Sequence, residues 1–262
     1  MSHDSLGDRM KAYEGISRVH LTSKLPVIIR LDGKAFHTYT KGLKRPYSMD
    51  LMGVMDDLTK FLCNQIQNVK MAYTQSDEIS LLLVDYGDIK TSAWFDGNLQ
   101  KMVSIAAGLA SSFLSLQSSR LFPEQRLATF DARAFILPQP EVQNYMVWRQ
   151  QDWNRNSLAM LAQSLYSHKE LQGKGRVDQH ELCFQKGHNW ADLPSHIKDG
   201  RVVIKRQVER EITTYRSVGL AGKELTHTRT GPTTVLRSEW YVMETTPIFT
   251  ADPSFVTGLV YP

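Results

Sequence analysis

The chain has 262 residues, of which 42% are hydrophobic and 22% charged; that supplies a sizeable core and excludes a disordered or fibrous protein. A net charge of +4 and a pI near 9.0 suit a phosphate-rich partner without requiring one. Two cysteines far apart, Cys63 and Cys183, imply no disulfide framework or zinc site and fit a reducing cytoplasm; the polar start is not expected to be a signal peptide, and no apolar run is expected to approach the ~18 residues of a membrane span.

Residues 25–31 are a short β-branched run opened by Pro26, the pattern of a buried strand. It leads into Arg30-Leu31-Asp32-Gly33-Lys34-Ala35-Phe36-His37, so Asp32 closes the strand beside a glycine. Residues 49–69 repeat Leu51, Met55, Leu58, Leu62, Ile66 and Val69 at three- and four-residue steps, an amphipathic helix. Residues 71–74 and 79–86 read as two strands joined by a tight polar turn that holds Ser76, Asp77 and Glu78. A second helix spans 99–117, with Ala106, Ala107, Gly108 and Ala110 small enough for close packing on a sheet. A fourth strand covers 127–137 and ends at Pro138 and Pro140.

The order is β-α-β-β-α-β. It predicts an α+β, ferredoxin-like fold, an antiparallel sheet with two helices on one face. In that topology the first and third strands are central neighbours, so Asp32 and Asp77 are expected to meet. Past Pro140 the chain predicts a long helix over 141–166, a basic loop over 167–175, a short helix over 179–186 and an irregular stretch over 187–199. A strand follows at 201–213, then a Gly- and Thr-rich loop over 219–234 and a last strand over 235–244. This divides the chain into a palm-like catalytic region, 1–138, and a C-terminal helical and strand extension, 139–262, packed on it.

Taken singly, Asp-Gly and Ser-Asp are ordinary turn pairs. Together at matched strand ends, two acids would repel unless a cation sat between them. Mg²⁺ takes carboxylates, phosphate oxygens and waters, so the pattern points to two Mg²⁺ ions on a nucleoside triphosphate. Gly33 lets the backbone approach such a group, and its carbonyl is a further candidate ligand. Glu78 reads as a partner of a basic residue or as a ligand; Ser76 either bonds a phosphate or steadies the turn. Lys34, His37, Lys41, Lys44 and Arg45 follow the first acid closely and would serve a triphosphate, although basic loops are commonly just solvated. Phe36 reads as a core anchor. On the long helix Arg149, Asp152 and Asn156 share one face, opposite Leu158, Leu161 and Leu165; such a stripe is either solvated or turned to a ligand. His168-Lys169 through Lys174 and Lys205-Arg206 could follow an RNA backbone.

These segments resemble the tRNA(His) guanylyltransferase superfamily, the 3′→5′ nucleotide-adding polymerases, and within it the bacterial-type guanylyltransferase-like branch. The resemblance rests on 30–37, Ser76-Asp77-Glu78-Ile79-Ser80 and Phe130-Asp131-Ala132-Arg133. Weaker matches are Asp152 to Ser157, Lys169 to Lys174, Asn189-Trp190 with Leu193-Pro194, and Thr246-Pro247-Ile248-Phe249. It implies a polymerase-palm fold and two Mg²⁺ ions on Asp32, Asp77 and the Gly33 carbonyl. It implies catalytic roles for Asp32, Asp77 and Glu78. Nucleotide contacts are implied for Lys34, Ala35, Phe36, His37, Lys44 or Arg45, Ser76 and Asn156. ATP, GTP and other nucleoside triphosphates are the implied substrates, the tRNA 5′ end the implied partner, and a homotetramer the implied assembly. Asp152-Trp153-Asn154-Arg155-Asn156-Ser157 departs from the motif that the eukaryotic branch uses for tRNA(His), which implies repair of 5′-truncated tRNA instead. Two other readings stay open: a nucleotide cyclase on the same palm, and a non-catalytic RNA-binding module.

Overall fold

Alternation of side chains builds two cores from one sheet. The computed structural model describes residues 5–218 and 226–261. After an N-terminal helix, α1 (Leu6–Gly15), strand β1 runs Val27–Gly33. Ile29 and Leu31 enter one apolar cluster and Ile28 enters another on the opposite face, which leaves Arg30 and Asp32 on the Ile28 side. A short helix, α2 (Phe36–Tyr39), and the long α3 (Met49–Gln65) follow, then β2 (Val69–Gln75), β3 (Glu78–Leu83), α4 (Leu99–Gln117) and β4 (Phe130–Ile136). The first four strands lie in the order β4-β1-β3-β2, all antiparallel. This is the ferredoxin-like arrangement the sequence predicts.

Helices α3 and α4 cover one face. Met55, Leu58 and Leu62 of α3 and Met102, Ala106, Ala110 and Leu114 of α4 pack on Ile29, Leu31, Ile79 and Leu81. Each helix starts on a side-chain cap: Ser48 Oγ accepts Leu51 N–H at 3.3 Å and Asn98 Oδ1 accepts Lys101 N–H at 3.0 Å. Leu99–Leu116 has a mean hydropathy of 1.3, long and apolar enough to cross a membrane by length and composition. This corrects the expectation that no run approaches that limit; of this stretch, Met102, Ala106, Ala110 and Leu114 are buried against the sheet.

The other face, beyond the two-helix sheet that the βαββαβ order predicts, is covered by α5 (Gln139–Leu165), whose Val142, Tyr145 and Met146 pack on Ile28, Met71, Tyr73 and Leu82. The chain continues through α6 (His168–Leu171), α7 (Arg176–Gln185), α8 (Ser195–Lys198), β5 (Arg201–Val218), β6 (Thr226–Val242) and α9 (Pro253–Val260). Strand β5 joins the palm sheet directly, pairing Arg201–Ile204 with β2, and β6 pairs with β5. The far half of α5 holds a third cluster, Leu158, Leu161 and Ala162 against Cys183 of α7.

Several expectations need correction. The predicted loop over 219–234 is strand from Thr226 onward, while 219–225 lie outside the described residues. Threonine and glycine there suggest a turn, but the ladder to β5, such as Tyr215↔Arg229, supplies the hydrogen bonds without an apolar pattern. The basic loop contains α6, closed by a reciprocal Ser167–Glu170 capping box. The stretch 187–199 contains a 3₁₀ turn at Trp190–Asp192 and α8. Helices α1, α2 and α9 have no strong sequence signature: α1 buries no residue, and α2 and α9 are too short to show a period.

Candidate active site

The register of the central strands sets the acids. Asp32 faces Glu78 across β1–β3 and Asp131 across β1–β4. Gln75 pairs with Glu78, so Ser76 and Asp77 form a two-residue turn between β2 and β3. Ser76 has φ +47°, in the left-handed region. Asp32, Ser76, Asp77 and Glu78 line one cleft, walled on its far side by Arg149, Asp152, Trp153 and Asn156 of α5. Arg149 and Asp152 of the α5 stripe therefore face the acids, and the exposed Asn156 borders the same cleft.

The electrostatics are lopsided. Burial pushes the Asp77 carboxyl up to about 6, hydrogen bonds from Ser76 and its own backbone pull it down, and the charges of Asp32 and Glu78 raise it further. Glu78 has a partner: Arg149 Nε and Nη2 each donate to one of its oxygens at 2.6 Å, a bidentate fork. Burial alone would lower the Arg149 pKa, but the bond to Glu78 and the charges of Glu78 and Asp152 raise it. Among the described residues, no cationic side chain is bonded to Asp32 or Asp77. Among the described residues no group of three or more His, Cys, Asp or Glu is disposed to hold a metal. Two carboxylates are too few for a closed protein cage. They fit Mg²⁺ whose remaining ligands are phosphate oxygens and waters.

A second lobe adjoins the first and shares Ser76, Asp77, Met160 and Gln163 with it. Its other wall carries Phe36, His37, Thr40, Lys44, Arg45 and Ser48. This segment is fixed from beneath: the Phe36 ring lies 4.9 Å from Tyr39 and 5.3 Å from Phe130, centroid to centroid. Phe36 is thus the anchor the sequence suggests. Arg126, stacked 3.8 Å from the Phe122 ring centroid, donates to the carbonyls of Tyr39 and Lys41 at 3.0 Å. Tyr47 Oη donates to the Ser157 carbonyl at 2.7 Å and ties the segment to α5.

Of the residues singled out from sequence, Asp32, Ser76, Asp77, Glu78 and Asn156 meet in the first lobe, and Phe36, His37, Lys44 and Arg45 in the second. Lys34 and Ala35 do not join them; they line a separate depression with Thr38, Lys41 and Leu127. Gly33 lies under the Phe36 ring, where a Cβ would collide with it. Met160 and Gln163 were not singled out. They continue the 149–152–156 stripe by helical steps, so the signal was present in the spacing.

An antiparallel palm sheet whose central strands deliver two carboxylates into a cleft walled by basic side chains is the architecture of a palm-type nucleotidyltransferase. The tRNAHis guanylyltransferase family model matches residues 7–138. The chain is 38% identical to a bacterial tRNA(His) guanylyltransferase-like protein solved in complex with ATP, over 99% of this chain and 100% of that one, with a TM-score of 0.81. A structure of such a protein in complex with GTP aligns at 37% identity, with a TM-score of 0.76 and the same coverage of both chains. The tRNA(His) guanylyltransferase of Schizosaccharomyces pombe is 26% identical over 77% of this chain and 81% of its own length. The chain belongs to the tRNA(His) guanylyltransferase family and is a nucleotidyltransferase.

Proposed function

We propose that the chain adds nucleotides in the 3′→5′ direction to the 5′ end of tRNA, templated by the opposite strand, and so repairs truncated 5′ ends. The observation that carries this reading is the pairing of Asp32 and Asp77 in one cleft that opens onto a basic lobe. In the first step the tRNA 5′-monophosphate attacks the α-phosphate of ATP, giving an adenylylated end and pyrophosphate. In the second, the 3′-hydroxyl of an incoming nucleoside triphosphate attacks the activated 5′-phosphate and releases AMP. Asp32, Asp77 and the Gly33 carbonyl would hold two Mg²⁺ ions, which lower the pKa of an attacking hydroxyl and offset charge on the phosphates.

The protein's own part is positioning and electrostatics. His37, Lys44 and Arg45 would bind the triphosphate, and Ser76 would bond a phosphate oxygen. Asn156 would contact the nucleotide from α5, and Phe36 holds the segment in place. In this reading residues 1–138 carry catalysis, and 139–262 add contacts to RNA and nucleotide. The ATP and GTP complexes of similar bacterial proteins support the nucleotide assignment. The family resemblance supports a homotetramer, and free Cys63 and Cys183 fit a reducing cytoplasm.

The test is extension of a 5′-truncated, 5′-labelled tRNA with ATP and each nucleoside triphosphate in turn. Template-matched lengthening at the 5′ end is expected. A cyclic nucleotide formed without RNA would replace this reading with a cyclase, and no reaction at all would leave an RNA-binding module.

A further inference from the structure

Four carboxylates border the first lobe: Asp32, Asp77, Glu78 and Asp152. Two arginines, Arg30 and Arg149, line it too, and Arg149 divides the acids. Arg149 is 5% exposed, and its guanidinium carbon lies 4.3 Å from the Trp148 ring centroid. Besides the two 2.6 Å bonds to Glu78, its Nη2 donates to Asp152 Oδ2 at 2.9 Å. Gln75 Nε2 donates to Glu78 Oε1 at 3.3 Å, so both Glu78 oxygens are occupied. Asp152 in turn accepts from Arg155 at 2.9 Å and from Asn156 Nδ2 at 3.4 Å. A single side chain thus joins the residue directly after Asp77 to the row of α5 residues that walls the cleft.

We propose that Arg149 is a positioning residue for nucleotide transfer. It withholds Glu78 from the cations assigned to Asp32 and Asp77, and it locks the Ser76–Asp77 turn against α5. The inference rests on the two-cation reading above. Glu78 follows Asp77 by one position, so a free Glu78 carboxylate would compete for any divalent ion there and draw it off the Asp32–Asp77 line. A planar fork with both oxygens held at 2.6 Å prevents this. Lysine, a point charge, would keep the neutralisation but lose the orientation.

The experiment measures Mn²⁺ binding to the full chain by electron paramagnetic resonance, without nucleotide or RNA, beside thermal unfolding and the steady-state kinetics of tRNA extension. Asp77→Asn serves as the control: it should abolish Mn²⁺ binding, and unchanged binding there would defeat the two-cation reading itself. Given that control, Glu78→Gln should leave Mn²⁺ affinity within about threefold of wild type, because Glu78 is not a ligand. Arg149→Met should bind Mn²⁺ more tightly while kcat falls roughly tenfold or more with little change in KM. Adding Glu78→Gln to Arg149→Met should return the Mn²⁺ affinity to the wild-type value, and Arg149→Lys should recover part of kcat. A loss of Mn²⁺ affinity in Glu78→Gln alone that matches the loss in Asp77→Asn makes Glu78 a ligand and overturns the proposal. So does a folded Arg149→Met protein with wild-type Mn²⁺ binding and kcat. Should Arg149→Met not fold, Glu78→Gln alone decides.

Discussion

The ring of Phe36 lies so close over Gly33 that the smallest side chain at 33 would intrude on it. Glycine is needed there for the space above it, since its φ is not in the left-handed region. Gly33→Ala should destabilise the fold by about 1–3 kcal/mol through overpacking and displace the segment that carries His37, Lys44 and Arg45. Chemical denaturation and tRNA extension, measured together, should both fall. Adding Phe36→Leu should restore part of the stability; no recovery at all would place the strain elsewhere.

Asp77 sets the pH dependence. Its carboxyl rises from 3.8 to about 6 in the folded chain, so the folded state holds that proton more tightly than the unfolded one. The metal-free fold therefore loses stability as pH climbs from 4 to 6 and carries the full penalty, on the order of 1–3 kcal/mol, above that. Asp77→Asn should unfold at a higher temperature than wild type at pH 8, and the advantage should vanish below pH 4. Divalent cations compete with the same proton, so Mn²⁺ affinity of the wild type should weaken as pH falls below about 6.

Arg201 is 2% exposed, and among the described residues only its Nε has a partner, the Asp56 carboxylate on α3. Its Nη1 and Nη2 are buried without a hydrogen bond among the described residues. Asp56→Ala should cost about 3–5 kcal/mol, because it strands a buried charge. Asp56→Ala combined with Arg201→Met should recover most of that in urea unfolding. If the double variant is as unstable as the single one, the pair is not the source of the loss.

Lys44 and Arg45 line the lobe beside Asp77 without an ion pair among the described residues. Lys44→Ala or Arg45→Ala should raise the KM for the nucleoside triphosphate roughly tenfold, by loss of a charge-assisted contact of about 1.5 kcal/mol. The effect should shrink as ionic strength rises. A fall in kcat with KM unchanged would move these residues from binding to chemistry.

Much of this site is legible in the sequence because it depends on local patterns. The apolar period of 99–117 gives α4 its limits, and the β-α-β-β-α-β order alone makes Asp32 and Asp77 neighbours. What the pattern does not carry is the partner of a polar group. Arg149, Asp152 and Asn156 look the same on a helix wheel whether they face water or Glu78. Deciding between them requires knowing that α5 crosses the second face of the sheet. Likewise the register Asp32↔Glu78 is fixed by tertiary pairing, while β6 owes its length to a ladder with β5 rather than to its own composition.

Helix α5 is one uninterrupted rod of 27 residues, about 40 Å long at 1.5 Å per residue. Its first half is cemented to the sheet through Val142 and Met146 and its last to α7 through Leu158 and Ala162, with the cleft wall in between. Such a beam, clamped at both ends, does not bend at the middle to admit a substrate. The opposite bank is held as well, through the Phe36 ring, Arg126 and Tyr47, so adaptation to nucleotides of different size falls to the side chains that line it, such as His37, Lys44 and Arg45.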